Sequence, residues 1–111
     1  MRVEFLPSVV DYFEELAWIL HNNGYFGSYE FSWKYVDELI DDIKINLPTR
    51  LHKTAPTYFD KYGKNMKYAG FLKNRRTTWY VFFTMYCKNG EKIYLVRYIA
   101  NNHTIAQHLL P

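Results

Sequence analysis

The chain has 111 residues, of which 49% are apolar and 20% are aromatic, so it is long enough to form one hydrophobic core and too apolar to be disordered. Its single cysteine excludes a disulfide framework. The formal net charge of +3 hides a separation, because residues 1–47 carry nine acidic and three basic side chains whereas residues 48–111 carry two acidic and eleven basic ones. We expect one domain over residues 1–111, whose basic half binds a polyanion such as nucleic acid; the alternative is a charged surface that only keeps the domain soluble.

The acidic half predicts a strand followed by two helices. Alternation between Arg2 and Phe5 predicts a short strand that ends before Pro7. Ser8 is the predicted N-cap of a first helix over residues 8–22, and Gly24 is its predicted stop. A second helix is expected to end before Pro48 and to place its acidic face in water. Its apolar stripe consists of Trp33, Val36, Ile40, Ile43 and Leu47.

The basic half predicts a long loop and a three-stranded meander. Residues 48–67 form the loop, with a helical turn near residues 57–62. Strands are predicted over residues 66–73, 78–88 and 93–100, with Arg75-Arg76 in the first turn and Asn89-Gly90 in the second. A helical turn over residues 104–110 is expected to follow.

The fold class expected from these elements is α+β. The N-terminal strand and the helical hairpin should pack on one face of a twisted, mostly antiparallel sheet of about four strands. The other sheet face, together with the basic loop and residues 101–108, is expected to form a concave positive surface. No apolar segment follows the charged start of the chain, so no signal peptide, a cytoplasmic location and no membrane partner are expected.

The order of strand, helical hairpin, basic loop, meander and short tail resembles the RelE/ParE superfamily of bacterial toxins from type II toxin–antitoxin systems. Val3-Glu4-Phe5-Leu6-Pro7-Ser8 is similar to the family's opening strand and helix start, and residues 78–83 are similar to the strand before the last. Residues 95–103 resemble the last strand, in which an arginine, here Arg97, is followed by a short polar segment. Tyr80 stands where the family usually has an arginine, and Asn102-His103 stands where two basic residues are common.

The resemblance implies a toxin that a cognate antitoxin, encoded by an adjacent gene, holds silent. Some members cleave messenger RNA on the ribosome without a metal, and others poison DNA gyrase without being nucleases. We expect a ribosome-associated endoribonuclease; a gyrase poison and a non-catalytic nucleic-acid-binding module are the alternatives. The chain has no metal-ligand spacing and no glycine-rich phosphate loop, so we expect no metal and no cofactor.

Metal-free RNA cleavage needs a proton donor or acceptor and positive charge on the phosphate. His103 is the predicted acid or base because an unperturbed histidine titrates near neutrality. Arg97 and Arg76 are the predicted phosphate ligands, since a guanidinium fork matches phosphate oxygens. Arg97 also stands where strand alternation predicts an apolar residue; the alternative for it is an ion pair with a helix acid such as Glu38. Tyr80 completes the predicted catalytic set as a hydroxyl or a stacking ring.

A second group of residues is predicted to bind the nucleic acid rather than to react with it. Lysine, arginine, asparagine and histidine side chains in the basic half are the candidates, although surface lysines most often serve solubility. The predicted binding residues are Lys64, Lys67, Arg75, Asn102 and His108.

Overall fold

One strand, two helices, a strand meander and a last helix follow one another in the computed structural model, which describes residues 1–109. Two short 3-10 segments, Leu47–Thr49 and Thr57–Tyr62, lie between the second helix and the meander. The predicted C-terminal turn includes Leu110, which lies outside the described residues. The regular elements are β1 (Arg2–Phe5), α1 (Pro7–Asn22), α2 (Tyr29–Asn46), β2 (Lys53–Thr54), β3 (Lys67–Asn74), β4 (Thr77–Lys88), β5 (Glu91–Asn101) and α3 (Asn102–Leu109).

The strands form one five-stranded mixed sheet in the order β1-β5-β4-β3-β2. β1 pairs in parallel with β5, and the other three pairs are antiparallel. The predicted α+β class is confirmed, whereas the predicted number of about four strands is wrong. The additional strand is β2, in which Lys53 pairs with Tyr68 and Thr54 pairs with Lys67. Two residues are too few to show an alternating pattern, which is why this segment was predicted as loop.

The helix starts differ in their caps. α1 begins at Pro7, and Leu6 occupies its N-cap position. Within residues 1–109 no side chain forms a capping hydrogen bond there, so the prediction of Ser8 as N-cap is wrong. Proline suits the first helical position because its fixed φ is already helical and it has no N–H to satisfy. α2 has a side-chain cap, since the Ser28 hydroxyl accepts a hydrogen bond from the Phe31 backbone N–H at 3.2 Å.

A first core lies between the two long helices and one face of the sheet. Leu39 contributes to it although it was not in the predicted stripe of α2, while Trp33 and Ile40 of that stripe are only half-buried. α1 and α2 therefore cover this sheet face as predicted, but α2 is rotated slightly from the predicted orientation. The buried members are Val9, Phe13, Leu16, Ala17, Val36, Leu39, Ile43, Leu47, Ala69, Phe71, Trp79, Val81, Phe83, Tyr94, Val96 and Ile99.

A second core covers the opposite face of the sheet. The 57–62 segment and α3 pack there, and the ring of Phe59 stacks on that of Phe82 at a centroid distance of 4.4 Å. The prediction of an open, concave positive surface on this face is wrong at its centre, because aromatic and aliphatic side chains fill it. The buried members are Phe59, Met66, Tyr68, Phe82, Ala100 and Ile105.

β5 contains a bulge at Arg97. Val96 pairs with Phe83 and Tyr98 pairs with the adjacent Phe82, so Arg97 is an extra residue without an opposite partner. The bulge reverses the alternation of the strand: Val96 lies in the first core, whereas Tyr98 lies in the second. Regular alternation along the strand would place residues 93, 95, 97 and 99 on one face, and the bulge excludes this arrangement. In the part of the chain that the structure describes, no helix is both long and apolar enough to cross a membrane.

Candidate nucleic-acid interface

The turn between β3 and β4 meets the start of α3 at one end of the sheet. Asn102 joins the two segments, because its side-chain oxygen accepts from the Thr78 backbone N–H at 2.9 Å and its side-chain nitrogen donates to the Arg76 carbonyl at 3.0 Å. The Nε2 atom of His103 lies 3.4 Å from the Thr77 hydroxyl oxygen. These contacts fix the relative positions of the two segments. We call Arg75, Arg76, Thr77, Asn102 and His103 the β3–β4 corner.

The β3–β4 corner is exposed and positively charged. The side chains of Arg75, Arg76 and His103 are open to solvent. Within residues 1–109, neither Arg75 nor Arg76 forms a salt bridge with a carboxylate. The turn itself is ordered by Asn74, whose side-chain oxygen accepts from the Arg76 backbone N–H at 2.9 Å. Two exposed arginines in the turn and an exposed histidine in the segment that contacts it match the chemistry of an RNA phosphate.

A groove of about 340 Å³ lies beside the β3–β4 corner, between the helices and the sheet. His103 and Thr77 lie at its edge. The Trp79 indole N–H donates to the Tyr35 hydroxyl at 2.9 Å, and burial raises the pKa of Tyr35 above its usual value. The Tyr35 hydroxyl therefore stays protonated, so this part of the groove wall carries no charge. Its aromatic lining residues are Tyr12, Tyr25, Phe26, Tyr35 and Trp79.

Arg97 has a different environment, at the bulge in β5. Its Nε donates to the Tyr62 carbonyl at 2.9 Å, and the rings of Tyr62 and Tyr98 stack at a centroid distance of 3.8 Å. Gly63 packs directly on this arginine, because an added Cβ would lie 2.6 Å from the Arg97 Nε. Arg97 therefore ties the end of the 57–62 segment to the sheet. Glu38, the alternative partner of Arg97, instead pairs with Lys73 at 3.8 Å.

The cavity beside Arg97 is poorly suited to a phosphate. It measures about 590 Å³ and is lined by Arg97, Tyr98 and the two α1 acids Asp11 and Glu15. Burial is the main cause that raises the pKa of the Tyr98 hydroxyl, and Tyr62 adds to it, so Tyr98 stays protonated. Two carboxylates near one guanidinium oppose the binding of an anion.

The predicted catalytic residues do not form one cluster. His103 and Arg76 meet at the β3–β4 corner, whereas Arg97 lies four residues before the end of β5, or about 13 Å along the strand. Tyr80 packs in the second core beside Tyr68, with the ring centroids 5.9 Å apart. The groove next to His103 is on the opposite face of the sheet from that core. Of the predicted catalytic residues, only His103 and Arg76 belong to the β3–β4 corner.

The remaining predicted binding residues are dispersed. Lys64 is exposed, and Lys67 donates to the Thr54 hydroxyl at 2.9 Å near the β2 edge. His108 stacks on Tyr58 with the centroids 3.7 Å apart. Thr77, by contrast, belongs to the β3–β4 corner and was not predicted. Its contact with His103 joins residues 26 positions apart, so only the pairing of strands reveals it.

Comparison of the chain with protein-family models, with curated proteins and with solved structures gives no match. The β3–β4 corner is the strongest candidate site, because it combines exposed positive charge, a titratable ring and a neighbouring aromatic groove.

Proposed function

We propose that this chain is the toxin of a type II toxin–antitoxin system with a RelE/ParE-like fold, and that it acts as a metal-independent endoribonuclease on ribosome-bound messenger RNA. The observation that carries the proposal is the approach of His103 to the Arg75-Arg76 turn, which forms an exposed positive site with a titratable ring. The order of one strand, two helices, a meander and a last helix supports the proposal, although the short strand β2 is additional to the order on which the resemblance rests.

The chemistry requires a proton acceptor beside the phosphate. The ribose 2′-hydroxyl attacks the neighbouring phosphorus, its proton moves to a base, and the bond from phosphorus to the 5′-oxygen breaks as that oxygen gains a proton. His103 takes the first proton, and water supplies the second. Arg75 and Arg76 stabilise the negative charge that develops on the phosphate oxygens. A base of the message stacks in the aromatic groove beside Thr77.

A second candidate is a toxin that binds DNA gyrase without cutting RNA. The separation of Arg97 and Tyr80 from His103 favours it, because a nuclease gains most from several groups on one phosphate. The carboxylates of Asp11 and Glu15 beside Arg97 also favour this candidate, since they suit contact with a protein better than contact with a polyanion.

The proposed antitoxin would add a strand to the open edge of β3. β2 covers only Lys67 and Tyr68, so residues 69–74 lack a neighbouring strand on that side within residues 1–109. A groove of about 430 Å³ lies on the adjacent sheet face, and Arg50 and Lys53 line it. An extended acidic segment would complete the sheet and neutralise these charges.

RNA binding at the β3–β4 corner should depend on salt through counterion release. We expect the logarithm of the affinity for a labelled single-stranded RNA to fall linearly with the logarithm of salt concentration. Because each lost phosphate contact lowers the slope by about 0.7, an Arg75→Ala/Arg76→Ala variant should lower it by about 1.4. Fluorescence anisotropy measures both slopes. Lys88→Ala, at the opposite end of β4, is the matched control, and an equal reduction for it would contradict binding at the corner.

Induced expression in a bacterial host tests the toxin proposal. Expression of the chain alone should stop growth, and coexpression with the small gene next to its own should restore growth and yield a complex that copurifies. Growth that continues during expression of the chain alone, without a copurifying partner, would contradict both the endoribonuclease and the gyrase candidates. It would leave the non-catalytic nucleic-acid-binding module.

A further inference from the structure

A strip of aromatic side chains runs along the groove between α1 and α2. The ring of Trp18 meets that of Tyr29 edge to face at 6.3 Å, and Tyr29 meets Trp33 in the same way at 6.3 Å. Trp18 is 56% exposed and Tyr29 is 40% exposed. Rings of this size that contact one another at the surface form a continuous apolar patch, which is typical of an interaction site.

The aromatic strip continues into a shallow cavity of about 210 Å³ at the β1 end of the same groove. Val10 and Ile40 line this cavity together with Trp33, and Val10 is 46% exposed. We call Val10, Trp18, Tyr29, Trp33 and Ile40 the hairpin strip. α1 has 16 residues and is therefore about 24 Å long, so the groove beside it matches a partner helix of similar length.

Acidic side chains flank the hairpin strip. Asp37 lies one helical turn after Trp33, and Asp41 lies one turn further along the same side of α2. Glu14 lines the cavity from α1, and Glu30 lies in the first turn of α2. These four carboxylates are exposed, and within residues 1–109 none has a basic group within 4.0 Å. Lys44 is the one basic residue that lines the cavity.

We propose that the hairpin strip binds a basic amphipathic helix of a partner protein. Apolar side chains at helical spacing would contact Val10, Trp18 and Trp33, while lysines and arginines on either side would meet the flanking carboxylates. A second copy of the chain, bound through the same face, would fit the strip less well than a basic helix. A symmetric contact would bring the two sets of carboxylates together, and they would repel each other. The proposal does not depend on the toxin function, because it uses none of the residues of the β3–β4 corner.

A synthetic helix provides the probe. A labelled peptide of about 18 residues, with leucines at positions i, i+3, i+4 and i+7 and lysines between them, should bind the full chain. A second peptide of the same composition, in which the leucines are scattered around the helix, is the matched control. The patterned peptide should bind at least about tenfold more tightly in fluorescence anisotropy. Equal binding of the two peptides would overturn the proposal, because charge alone would then explain the affinity.

Surface variants locate the binding to the hairpin strip. Trp18→Ala should weaken binding about tenfold, whereas Phe31→Ala, at a 59% exposed ring outside the strip, should not change it. Asp37→Lys/Asp41→Lys should also weaken binding, and Asp60→Lys in the basic half should not. Thermal melting checks that each variant is folded. Equal effects of Trp18→Ala and Phe31→Ala would overturn the proposal, and so would self-association that Trp18→Ala abolishes, since the occupant would then be a second copy.

Discussion

A His103→Ala variant is expected to lose most of the growth arrest that we propose for the wild-type chain. A general acid or base contributes about 10²–10⁴-fold to a rate, so cleavage of ribosome-bound message should fall by that factor. The fold should not change, because the exposed His103 side chain makes a single long contact of 3.4 Å with Thr77. Growth curves measure the effect in cells, and thermal melting of the purified variant shows whether it remains folded.

Two further variants sharpen this test. Thr77→Val removes the hydroxyl next to His103 but keeps the size of the side chain, so it should lower the rate less than His103→Ala does. Arg76→Ala should lower the rate by weakening phosphate binding, and the variant should still bind the proposed antitoxin. If His103→Ala stays fully toxic, the proposed ribonuclease mechanism is wrong and the gyrase candidate becomes the better one.

Replacing Phe59 by alanine is expected to have the largest effect on stability. Phe59 is fully buried and stacks on Phe82, so it anchors the loop between α2 and β3 on the second face of the sheet. Truncation of a buried phenylalanine lowers the free energy of unfolding by about 3–5 kcal/mol. The variant loses the favourable transfer of the ring from water into the core, and it also contains the cavity that the ring leaves behind. Urea denaturation followed by circular dichroism measures the loss.

The neighbouring residue provides the control for Phe59→Ala. Tyr58 is 47% exposed and stacks on His108, so Tyr58→Ala should cost clearly less than Phe59→Ala. Equal losses of stability in the two variants would contradict a second core built around Phe59.

Local patterns predicted the helices and the main hairpin because these elements depend on neighbouring residues. The turn between β4 and β5 is an example: Asn89 and Gly90 have φ angles of 53° and 78°, as the Asn-Gly dipeptide predicts. The two-residue β2 was not predicted, since it exists only through its pairing with Tyr68 and Lys67. The second core was also missed, because Phe59 and Ile105 lie in segments without a sustained apolar period.

The candidate site was predicted only in part, for a related reason. Arg97 was noticed because it breaks the alternation of its strand, yet the structure gives a local cause, a bulge that reverses the face of the residues after it. The contact between the segment that holds His103 and the turn that holds Arg76 depends on Asn102, whose hydrogen bonds reach across 24 and 26 positions of the chain. Spacing within one segment carries no information about contacts of this kind.

Cleavage of ribosome-bound messenger RNA by the purified chain is the most direct test of the proposed function. The experiment adds wild-type protein to ribosomes that hold a defined message and maps the 5′ ends by primer extension. We predict new ends within the ribosome-bound region for the wild-type chain, and their loss for both His103→Ala and Arg76→Ala. An intact message at protein concentrations that stop growth in cells would contradict the endoribonuclease proposal.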